Sequence, residues 1–247
     1  MSEARIGKEF YDSTDYFDGA HLVDHQSPFQ QYRVRKVLEI HTPGPDDRVV
    51  DLGCGWGTFD FALADHVGSI LGVDFSERSV AFCEERLRQN PVENVRFLCA
   101  DAGETGLEGD AYDVVLAADL FEHLYPEDSS RVAREALRLL RPGGRFVTWT
   151  PHRGHILEVL KNRDIILKRD VSHVDYKSMD AMKRLLTDAG FEIERAYYAE
   201  SHLPGLRTVE RLLQGVVPLL RRRIAVLGRK PRSSNNASEG GRPSGQG

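Results

Sequence analysis

The stretch from Val49 to Phe59 constrains the fold more than any other part of the chain. It reads Val-Val-Asp-Leu-Gly-Cys-Gly-Trp-Gly-Thr-Phe, so an apolar run suited to a buried strand reaches an acid, and three alternating glycines precede a helical pattern. Glycine tolerates positive φ and has no Cβ, so such a turn lets a ligand approach the backbone, with the amides of a helix N-terminus facing it. The stretch therefore predicts a strand, a ligand-binding turn and a helix.

The same alternation of apolar runs and helical patterns continues along the chain. The apolar runs with the length of strands span 48–52, 69–73, 95–99, 113–118, 145–150, 191–199 and 223–227. The helical patterns span 28–41, 58–67, 77–89, 126–140, 155–163, 179–189 and 206–220. Strands that alternate with helices at this spacing predict a mainly parallel, doubly wound α/β sheet with right-handed crossovers.

The length of 247 residues suits one large domain with appendages. We expect an irregular arm and a first helix over 1–41, which cover the active site, and a main domain over 42–230. Two segments of that domain, 151–177 and 201–220, are predicted to be inserted lid segments, because long loops in compact domains are more often functional than idle. The tail 231–247 is rich in Ser, Asn, Gly and Pro and is predicted to be disordered.

Composition and charge exclude several classes of protein. A formal net charge of −5 argues against a broad nucleic-acid-binding surface. The three cysteines have neither zinc-knuckle nor Cys-x-x-Cys spacing, which fits a reducing compartment. No apolar run approaches the ~18 residues of a membrane span, and the polar N-terminus is not a targeting signal. We therefore expect a cytoplasmic monomer or homodimer that does not bind nucleic acid.

Four acids follow successive predicted strands: Asp51, Asp74, Asp101 and Asp119. In an open α/β sheet, ligands bind beyond the carboxyl ends of the strands, near the point where strand order reverses. A single acid after a strand is often only a helix cap or a turn former. Four acids in series beside a glycine turn indicate a binding site instead.

The spacing of acids and glycines discriminates between nucleotide-like ligands. Asp74 lies 23 residues after Asp51, where a carboxylate could accept hydrogen bonds from both hydroxyls of a ribose. Each such hydrogen bond contributes roughly 1.5–3 kcal/mol in a dry site. The dinucleotide fingerprint G-x-G-x-x-G is not met, because the third glycine comes one residue early and Thr58 stands in its place. A carboxylate near the turn would repel a pyrophosphate and attract an ammonium group.

These residues resemble the class I S-adenosylmethionine-dependent methyltransferases from about Val34 to Leu227. The resemblance rests on Val-Val-Asp-Leu-Gly-Cys-Gly-Trp-Gly, Leu-Gly-Val-Asp-Phe-Ser, Leu-Cys-Ala-Asp-Ala, Tyr-Asp-Val-Val-Leu-Ala-Ala-Asp-Leu-Phe-Glu-His-Leu and Leu-Arg-Pro-Gly-Gly-Arg-Phe. It implies a Rossmann-like, seven-stranded, mostly parallel sheet in the order 3-2-1-4-5-7-6, in which the last-formed strand is antiparallel. It also implies S-adenosyl-L-methionine as cofactor and S-adenosyl-L-homocysteine as product.

The resemblance assigns the predicted cofactor-binding residues. Asp51 helps to place the amino group, Asp74 binds the ribose, and Asp101 meets the adenine amino group. The remaining positions hold the methionine part, flank the adenine ring or contact the cofactor after the fourth strand: Gly53, Cys54, Gly55, Gly57, Phe75, Ala102 and Asp119.

Methyl transfer from a sulfonium needs chiefly an oriented nucleophile, and orientation can supply on the order of 7–11 kcal/mol. A base is required only where the acceptor must lose a proton, and His123 is the predicted base because a neutral imidazole accepts protons near pH 7. The alternative is that His123 orients its loop or caps a helix. Asp119 is the second predicted catalytic residue. The weaker candidates are Glu122, His152, His155 and His173.

A metal site at Asp119, Glu122 and His123 is a further alternative. We predict no metal, because the spacing matches no tight metal motif and the reaction needs none.

The acceptor is predicted to be a small molecule methylated on a hydroxyl, as in enzymes of the ubiquinone-biosynthesis type, which the chain resembles. Tyr11 in the arm, and His152 and His173 in the 151–177 segment, are the predicted substrate-binding residues. The Asn-Pro-Pro-Tyr motif of amide and nucleobase N-methylating enzymes is missing. A catalytically silent S-adenosylmethionine-binding partner protein and a nicotinamide-dependent oxidoreductase are the alternatives.

The segment 206–223 supports two interpretations. It carries an apolar helical pattern that ends in Arg221, Arg222 and Arg223. It could pack on the sheet edge or on a second copy, with the arginines solvated. It could also rest on an anionic membrane, giving access to a lipid or quinone precursor.

Overall fold

The computed structural model describes residues 5–13, 27–162 and 171–232. Its helices are α1 Lys8–Ser13, α2 Pro28–Ile40, α3 Thr58–Leu63, α4 Glu77–Gln89, α5 Pro126–Leu139, α6 Ile156–Asn162, α7 Met179–Ala189 and α8 Pro204–Leu213. Its strands are β1 Arg48–Leu52, β2 Ser69–Asp74, β3 Val95–Cys99, β4 Tyr112–Ala118, β5 Leu140–Pro151, β6 Glu192–Ala199 and β7 Arg223–Arg229. Short 3₁₀ turns cover Ala64–His66, Phe121–His123 and Pro218–Leu220.

The strands form one seven-stranded sheet in the order β3-β2-β1-β4-β5-β7-β6. β1 to β5 run parallel to one another, and β7 runs antiparallel to both β5 and β6. The predicted fold class, sheet order and antiparallel strand are confirmed. The strand order reverses between β1 and β4, so a crevice opens at the carboxyl ends of these two strands.

Two apolar cores cover the two faces of the sheet. On one face, α5 and α7 place Val132, Ala136, Met182 and Leu186 against the strands, together with the fully buried Phe146. The predicted 3.6-residue periodicity of both helices accounts for this packing. On the other face, α2, α3 and Trp149 of β5 form the second core. The crevice therefore lies between two rigid layers.

Serine caps fix the starts of three helices. The side chains of Ser27, Ser76 and Ser178 accept hydrogen bonds from the backbone amides of Gln30, Ser79 and Ala181. These caps begin α2, α4 and α7 where the sequence predicts them, since a Ser side chain satisfies an amide that has no partner within the helix.

Some element boundaries differ from the prediction. Residues 8–13 of the arm form α1 and are not irregular. The predicted helix over 206–220 is wrong, because α8 ends at Leu213 and a separate turn follows over Pro218–Leu220. Gly215 and Pro218 interrupt the helix, since glycine has low helix propensity and proline lacks an amide hydrogen.

Parts of the predicted organisation lie outside the described residues. They comprise most of the tail 231–247, much of the arm over 1–4 and 14–26, and residues 163–170 of the predicted lid. No helix in the described ranges is both long and apolar enough to cross a membrane.

Truncation of Leu186 to Ala should destabilise the protein by about 2–5 kcal/mol, because Leu186 is fully buried in the core beneath α7. The matched control is Leu212→Ala in α8, where the leucine is 74% exposed and truncation should cost less than about 0.5 kcal/mol. Equilibrium unfolding in urea measures both values. Equal costs at the two positions would contradict the assigned core.

Candidate functional site

A cavity of about 620 Å³ opens at the carboxyl ends of β1, β2 and β4. This volume falls within the range of small-molecule and cofactor sites, roughly 300–1,000 Å³. Predicted cofactor-binding residues line it: Gly53, Cys54, Gly55, Asp74, Phe75, Asp101, Ala102 and Asp119. Three other predicted residues, Tyr11, His123 and His173, line the same cavity. The structure therefore brings residues from six separate stretches of the chain to one place.

The glycine turn is held against the end of β2. The amides of Gly53 and Cys54 both donate to the carbonyl of Val73, at 2.8 and 3.1 Å. Gly53 has a φ of 74°, and a Cβ there would lie 2.7 Å from the Leu120 side chain. Only glycine combines this backbone conformation with so close a neighbour. Gly57 has a φ of 72° and precedes α3, but it does not line the cavity.

Asp74 joins the glycine turn to α4. Its Oδ2 accepts the amide of Gly55 and its Oδ1 accepts the amide of Ser76, both at 2.9 Å. Burial raises the pKa of Asp74, whereas these two amides act to lower it. Because a carboxylate has about four acceptor positions, Asp74 keeps capacity for the hydroxyl donors of a ligand.

Two buried carboxyls, Asp51 and Asp60, lie beneath the turn and do not themselves line the cavity. Within the described chain, Oδ2 of Asp51 and both carboxyl oxygens of Asp60 have no hydrogen-bond partner. Burial raises the pKa of Asp51 to about 7, and burial and the charge of Asp51 raise that of Asp60 well above its usual range. Such a pair retains a proton near neutral pH and is suited to a cationic ligand group. An ammonium group, which donates hydrogen bonds, fits these acceptor oxygens.

Asp60 was not among the predicted residues. Its only sequence signal is an acid between Phe59 and Phe61, on a helix start that is otherwise apolar.

Asp101 stands at the rim of the cavity with half of its side chain exposed. Its Oδ1 accepts the amide of Gly103 at 2.7 Å, and its Oδ2 pairs with Arg131 at 2.9 Å. Any contact with an adenine amino group would share these oxygens, and that role remains a prediction. Beside it, the ring of Phe75 lies 5.4 Å from the ring of Tyr11.

Helix α1 lies over this end of the cavity. The hydroxyl of Ser76 donates to Asp12 at 2.7 Å, and Lys8 pairs with Glu77 at 2.6 Å. Gly7 and Tyr11 line the cavity from this side. The described part of the arm is therefore attached to the start of α4.

Asp119 is bound by two arginines from distant elements. Arg33 of α2 donates to Oδ2 through Nε at 2.9 Å and Nη2 at 2.8 Å, and Arg223 at the start of β7 pairs with Oδ1. The two arginines lower the pKa of Asp119 in spite of its burial. A carboxylate so held is a poor proton acceptor, and a catalytic role for Asp119 stays a prediction.

The predicted solvation of the three arginines at 221–223 is wrong for two of them. The side chain of Arg223 is only 14% exposed because it pairs with Asp119. Arg222 lies 3.3 Å from Nδ1 of His155, and its guanidinium is largely buried. Arg33 and Arg223 line the cavity, yet nothing in the sequence distinguishes them from other basic residues on a helix or in a charge run.

The rings of His123 and His173 are in edge-to-face contact in the cavity wall, with centroids 4.8 Å apart. Nδ1 of His123 lies 3.1 Å from the carbonyl of Ser172 and 3.2 Å from the hydroxyl of Tyr11. A carbonyl can only accept, so Nδ1 carries the proton and Nε2 carries the lone pair. His123 therefore retains a basic nitrogen, as the base prediction requires.

Glu122 is buried beside this pair, and its Oε2 accepts the hydroxyl of Thr150 at 2.8 Å. Burial and the nearby charge of Asp119 raise the pKa of Glu122 to about 8.

His152 and His155 lie away from the cavity. His152 contacts the carbonyl of Arg221 at 3.1 Å, and its ring packs 5.2 Å from that of Tyr198. His155 is fully buried and contacts Glu210 at 3.2 Å. His152 does not line the cavity, because β5 continues to Pro151 and carries the loop toward β6 and β7, and its role in substrate binding stays a prediction.

Comparison with known proteins places this site in a family. Residues 49–144 match the family described as a methyltransferase domain. A 23S rRNA (uracil(1939)-C(5))-methyltransferase of Aeromonas hydrophila is 31% identical over 156 residues, 53% of this chain and 36% of that protein. A ubiquinone biosynthesis O-methyltransferase of Coxiella burnetii is 30% identical over 118 residues, 48% of this chain and 49% of that protein. The chain thus spans half or less of each relative.

The fold is similar to that of solved methyltransferases. The structure of phosphoethanolamine N-methyltransferase 2 of Haemonchus contortus with S-adenosyl-L-methionine has a TM-score of 0.68 at 20% identity, over 91% of this chain and 60% of that one. The range 49–144, which matches the methyltransferase-domain family, includes the glycine turn, Asp51, Asp74, Asp101 and Asp119. This chain carries a methyltransferase domain of the class I S-adenosylmethionine-dependent family.

Proposed function

We propose that the protein transfers the methyl group of S-adenosyl-L-methionine to a hydroxyl of a small-molecule acceptor. The observation that supports this best is a continuous cavity that joins the glycine turn and Asp74 to His123. The bound cofactor supplies an electrophilic methyl group. The chain must then hold the two reactants in line, exclude water and provide for the acceptor proton.

Each end of the cavity has a distinct role in this proposal. Asp51 and Asp60 attract the ammonium group, and Asp74 accepts the ribose hydroxyls. At the opposite end, Nε2 of His123 accepts the acceptor proton, while the carbonyl of Ser172 fixes its ring through Nδ1. Helix α1 with Tyr11 shields the reacting atoms from water.

A hydroxyl acceptor is favoured by the O-methyltransferase among the relatives. An RNA acceptor, as the name of another relative states, is disfavoured by the net charge of −5 and by the small cavity beneath α1.

A catalytically silent cofactor-binding protein would bind the same cofactor. Turnover of donor across a panel of phenols, alcohols and amines separates it from an enzyme, since binding without turnover would favour the silent protein.

Substitution of Asp74 by Asn should weaken S-adenosylhomocysteine binding about 10- to 100-fold, because the charged acceptor of the ribose hydroxyls is lost. The exposed Asp65, on the neighbouring 3₁₀ turn, provides the control Asp65→Asn, which should leave Kd unchanged. Isothermal titration calorimetry measures both constants. An unchanged Kd in Asp74→Asn would remove Asp74 from the cofactor site.

The Asp51–Asp60 pair predicts a pH dependence. Because the folded protein raises the pKa of Asp51 to about 7, its contribution to stability is present at low pH and is lost as pH rises through about 7. An ammonium-bearing ligand requires the ionised pair, so S-adenosylhomocysteine should bind more tightly as pH rises to about 7. Below about pH 7, its binding should release a proton from the pair.

Thermal unfolding with and without S-adenosylhomocysteine between about pH 5.5 and 8.5 tests this window. The Asp51→Asn variant should flatten both trends, because it removes the carboxyl whose pKa burial raises. If the stability of the ligand-free protein rose steadily with pH across this window, the raised pKa of Asp51 would be contradicted.

We also propose that the acceptor is delivered from a lipid surface. Exposed apolar side chains concentrate on α8 and the turn after it, where Leu212 is 74% and Val216 is 78% exposed. Arg207 lies on the same helix and could pair with an anionic headgroup, whereas Arg211 pairs with Glu200 at 2.6 Å. In this proposal, the exposed apolar surface of α8 and the following turn makes a peripheral contact with the membrane.

Replacing Leu212 and Val216 together by Glu should abolish flotation of the protein with anionic liposomes, because two charges would enter the apolar interface. The control is Val171→Glu, another exposed valine, at 57%, outside α8. Neutralising Arg223 is not a suitable test, since it would break the ion pair with Asp119. Equal flotation of the double variant and the parent protein would exclude the contact.

A further inference from the structure

Glu122, His123 and His173 form a cluster of metal-ligand groups in the cavity wall. One carboxylate oxygen and one imidazole nitrogen from each histidine lie within 4.8 Å of one another. Metal–ligand distances of 2.0–2.2 Å place tetrahedral ligands about 3.4 Å apart, so the side chains would need to move by about an ångström. Two histidines and one carboxylate are a common donor set for divalent transition metals.

This cluster differs from the one considered from the sequence, which joined Asp119 to Glu122 and His123. The structure commits Asp119 to Arg33 and Arg223. His173, 50 residues further along the chain than His123, takes the third position. The cluster therefore depends on a tertiary contact that no local spacing reveals.

Both histidines are oriented through Nδ1. His123 donates Nδ1–H to the carbonyl of Ser172, as described above. Nδ1 of His173 lies 2.6 Å from the hydroxyl of Tyr176, which itself donates to Glu158 at 3.0 Å. Because the Tyr176 hydroxyl donates its proton to Glu158, its oxygen accepts from Nδ1–H of His173. The lone pair of each ring is thus on Nε2, and metal-binding histidines are commonly fixed in this way by carbonyls and carboxylates.

The two segments that carry the cluster are bound to each other. The amide of Asp175 donates to the carbonyl of Glu122 at 3.2 Å, and the ammonium of Lys177 donates to the carbonyl of Phe121 at 3.3 Å. Together with the His123–Ser172 bond, these contacts hold the loop before α7 against the turn after β4. The relative placement of His123 and His173 is therefore built into the fold.

From this geometry we propose that Glu122, His123 and His173 bind one divalent transition-metal ion, of which Zn²⁺ is the probe. The three side chains line the cavity and leave coordination positions for the acceptor, as in catalytic sites with three protein ligands. Mg²⁺ should bind more weakly, because it prefers oxygen ligands and retains its water.

The proposal rests on the proposed methyl transfer and changes the route of the acceptor proton. An acceptor hydroxyl that binds the metal loses its proton to water, because a divalent ion lowers the pKa of a bound O–H group. Its oxygen then forms a bond to the methyl carbon as the sulfur–carbon bond breaks, and the bonding pair remains on the sulfur, which becomes neutral. In the metal-bound protein, Nε2 of His123 is a ligand and not the base.

The test measures Zn²⁺ binding by calorimetry on the full chain, without cofactor or acceptor, and metal content by mass spectrometry after desalting. We expect one equivalent of Zn²⁺ per chain. Affinity should fall at least about 100-fold in His173→Ala and Glu122→Gln, and about 10- to 100-fold in Tyr176→Phe, which removes only the group that orients His173. His66→Asn, at an exposed histidine, is the control and should bind like the parent.

S-adenosylhomocysteine binding, measured on every variant, reports whether the domain is folded and is independent of the metal. Visible absorption of bound Co²⁺ provides a second readout of histidine ligation. Absence of saturable Zn²⁺ binding, or equal affinity in the parent, His173→Ala and Glu122→Gln, would overturn the proposal. Because no methyl acceptor enters these measurements, failure of the proposed methyl transfer would be seen separately.

Discussion

The hydrogen bonds between the glycine turn and β2 hold the site together. The amides of Gly53 and Cys54 share the carbonyl of Val73, and Asp74, the next residue of β2, accepts the amide of Gly55. These bonds can form only because β1 and β2 are parallel neighbours whose carboxyl ends meet. The turn, Asp74 and the entry to α3 are therefore one unit, and the rest of the cavity is arranged around it.

Charge divides the cavity into two functional ends. Beneath the turn, Oδ2 of Asp51 and both carboxyl oxygens of Asp60 are buried without a hydrogen-bond donor among the described residues, so this end is suited to a proton or a cation. After β4, Asp119 is neutralised by Arg33 and Arg223, which join α2 and β7 to the centre of the sheet. The first end is suited to a charged cofactor group. The second holds the wall beside His123, where the acceptor would lie.

The sequence predicted the parts of the protein that depend on local pattern. The periodicity of apolar residues predicted the sheet, and the family resemblance predicted its strand order. The serine caps predicted the starts of α2, α4 and α7. The turn at Gly53 and the acid at Asp74 were recognisable because backbone conformation requires glycine and ligand chemistry favours a carboxylate.

What the sequence could not predict depends on partners that are distant in the chain. Arg223 lies in a basic run that suggests a solvated surface, yet it pairs with Asp119, 104 residues away. His152 and His173 occur in the same loop, but only His173 reaches the cavity. Helix α8 ends at Leu213 because Gly215 and Pro218 interrupt it. The apolar periodicity continues over 206–220 and therefore predicted a longer helix.

A crystal structure with S-adenosylhomocysteine tests the central claim most directly. The account predicts ribose hydroxyls within hydrogen-bond distance of Asp74, an ammonium group on the side of Asp51 and Asp60, and a sulfur directed toward His123. A ligand bound elsewhere, or with its ammonium group away from the Asp51–Asp60 pair, would contradict it.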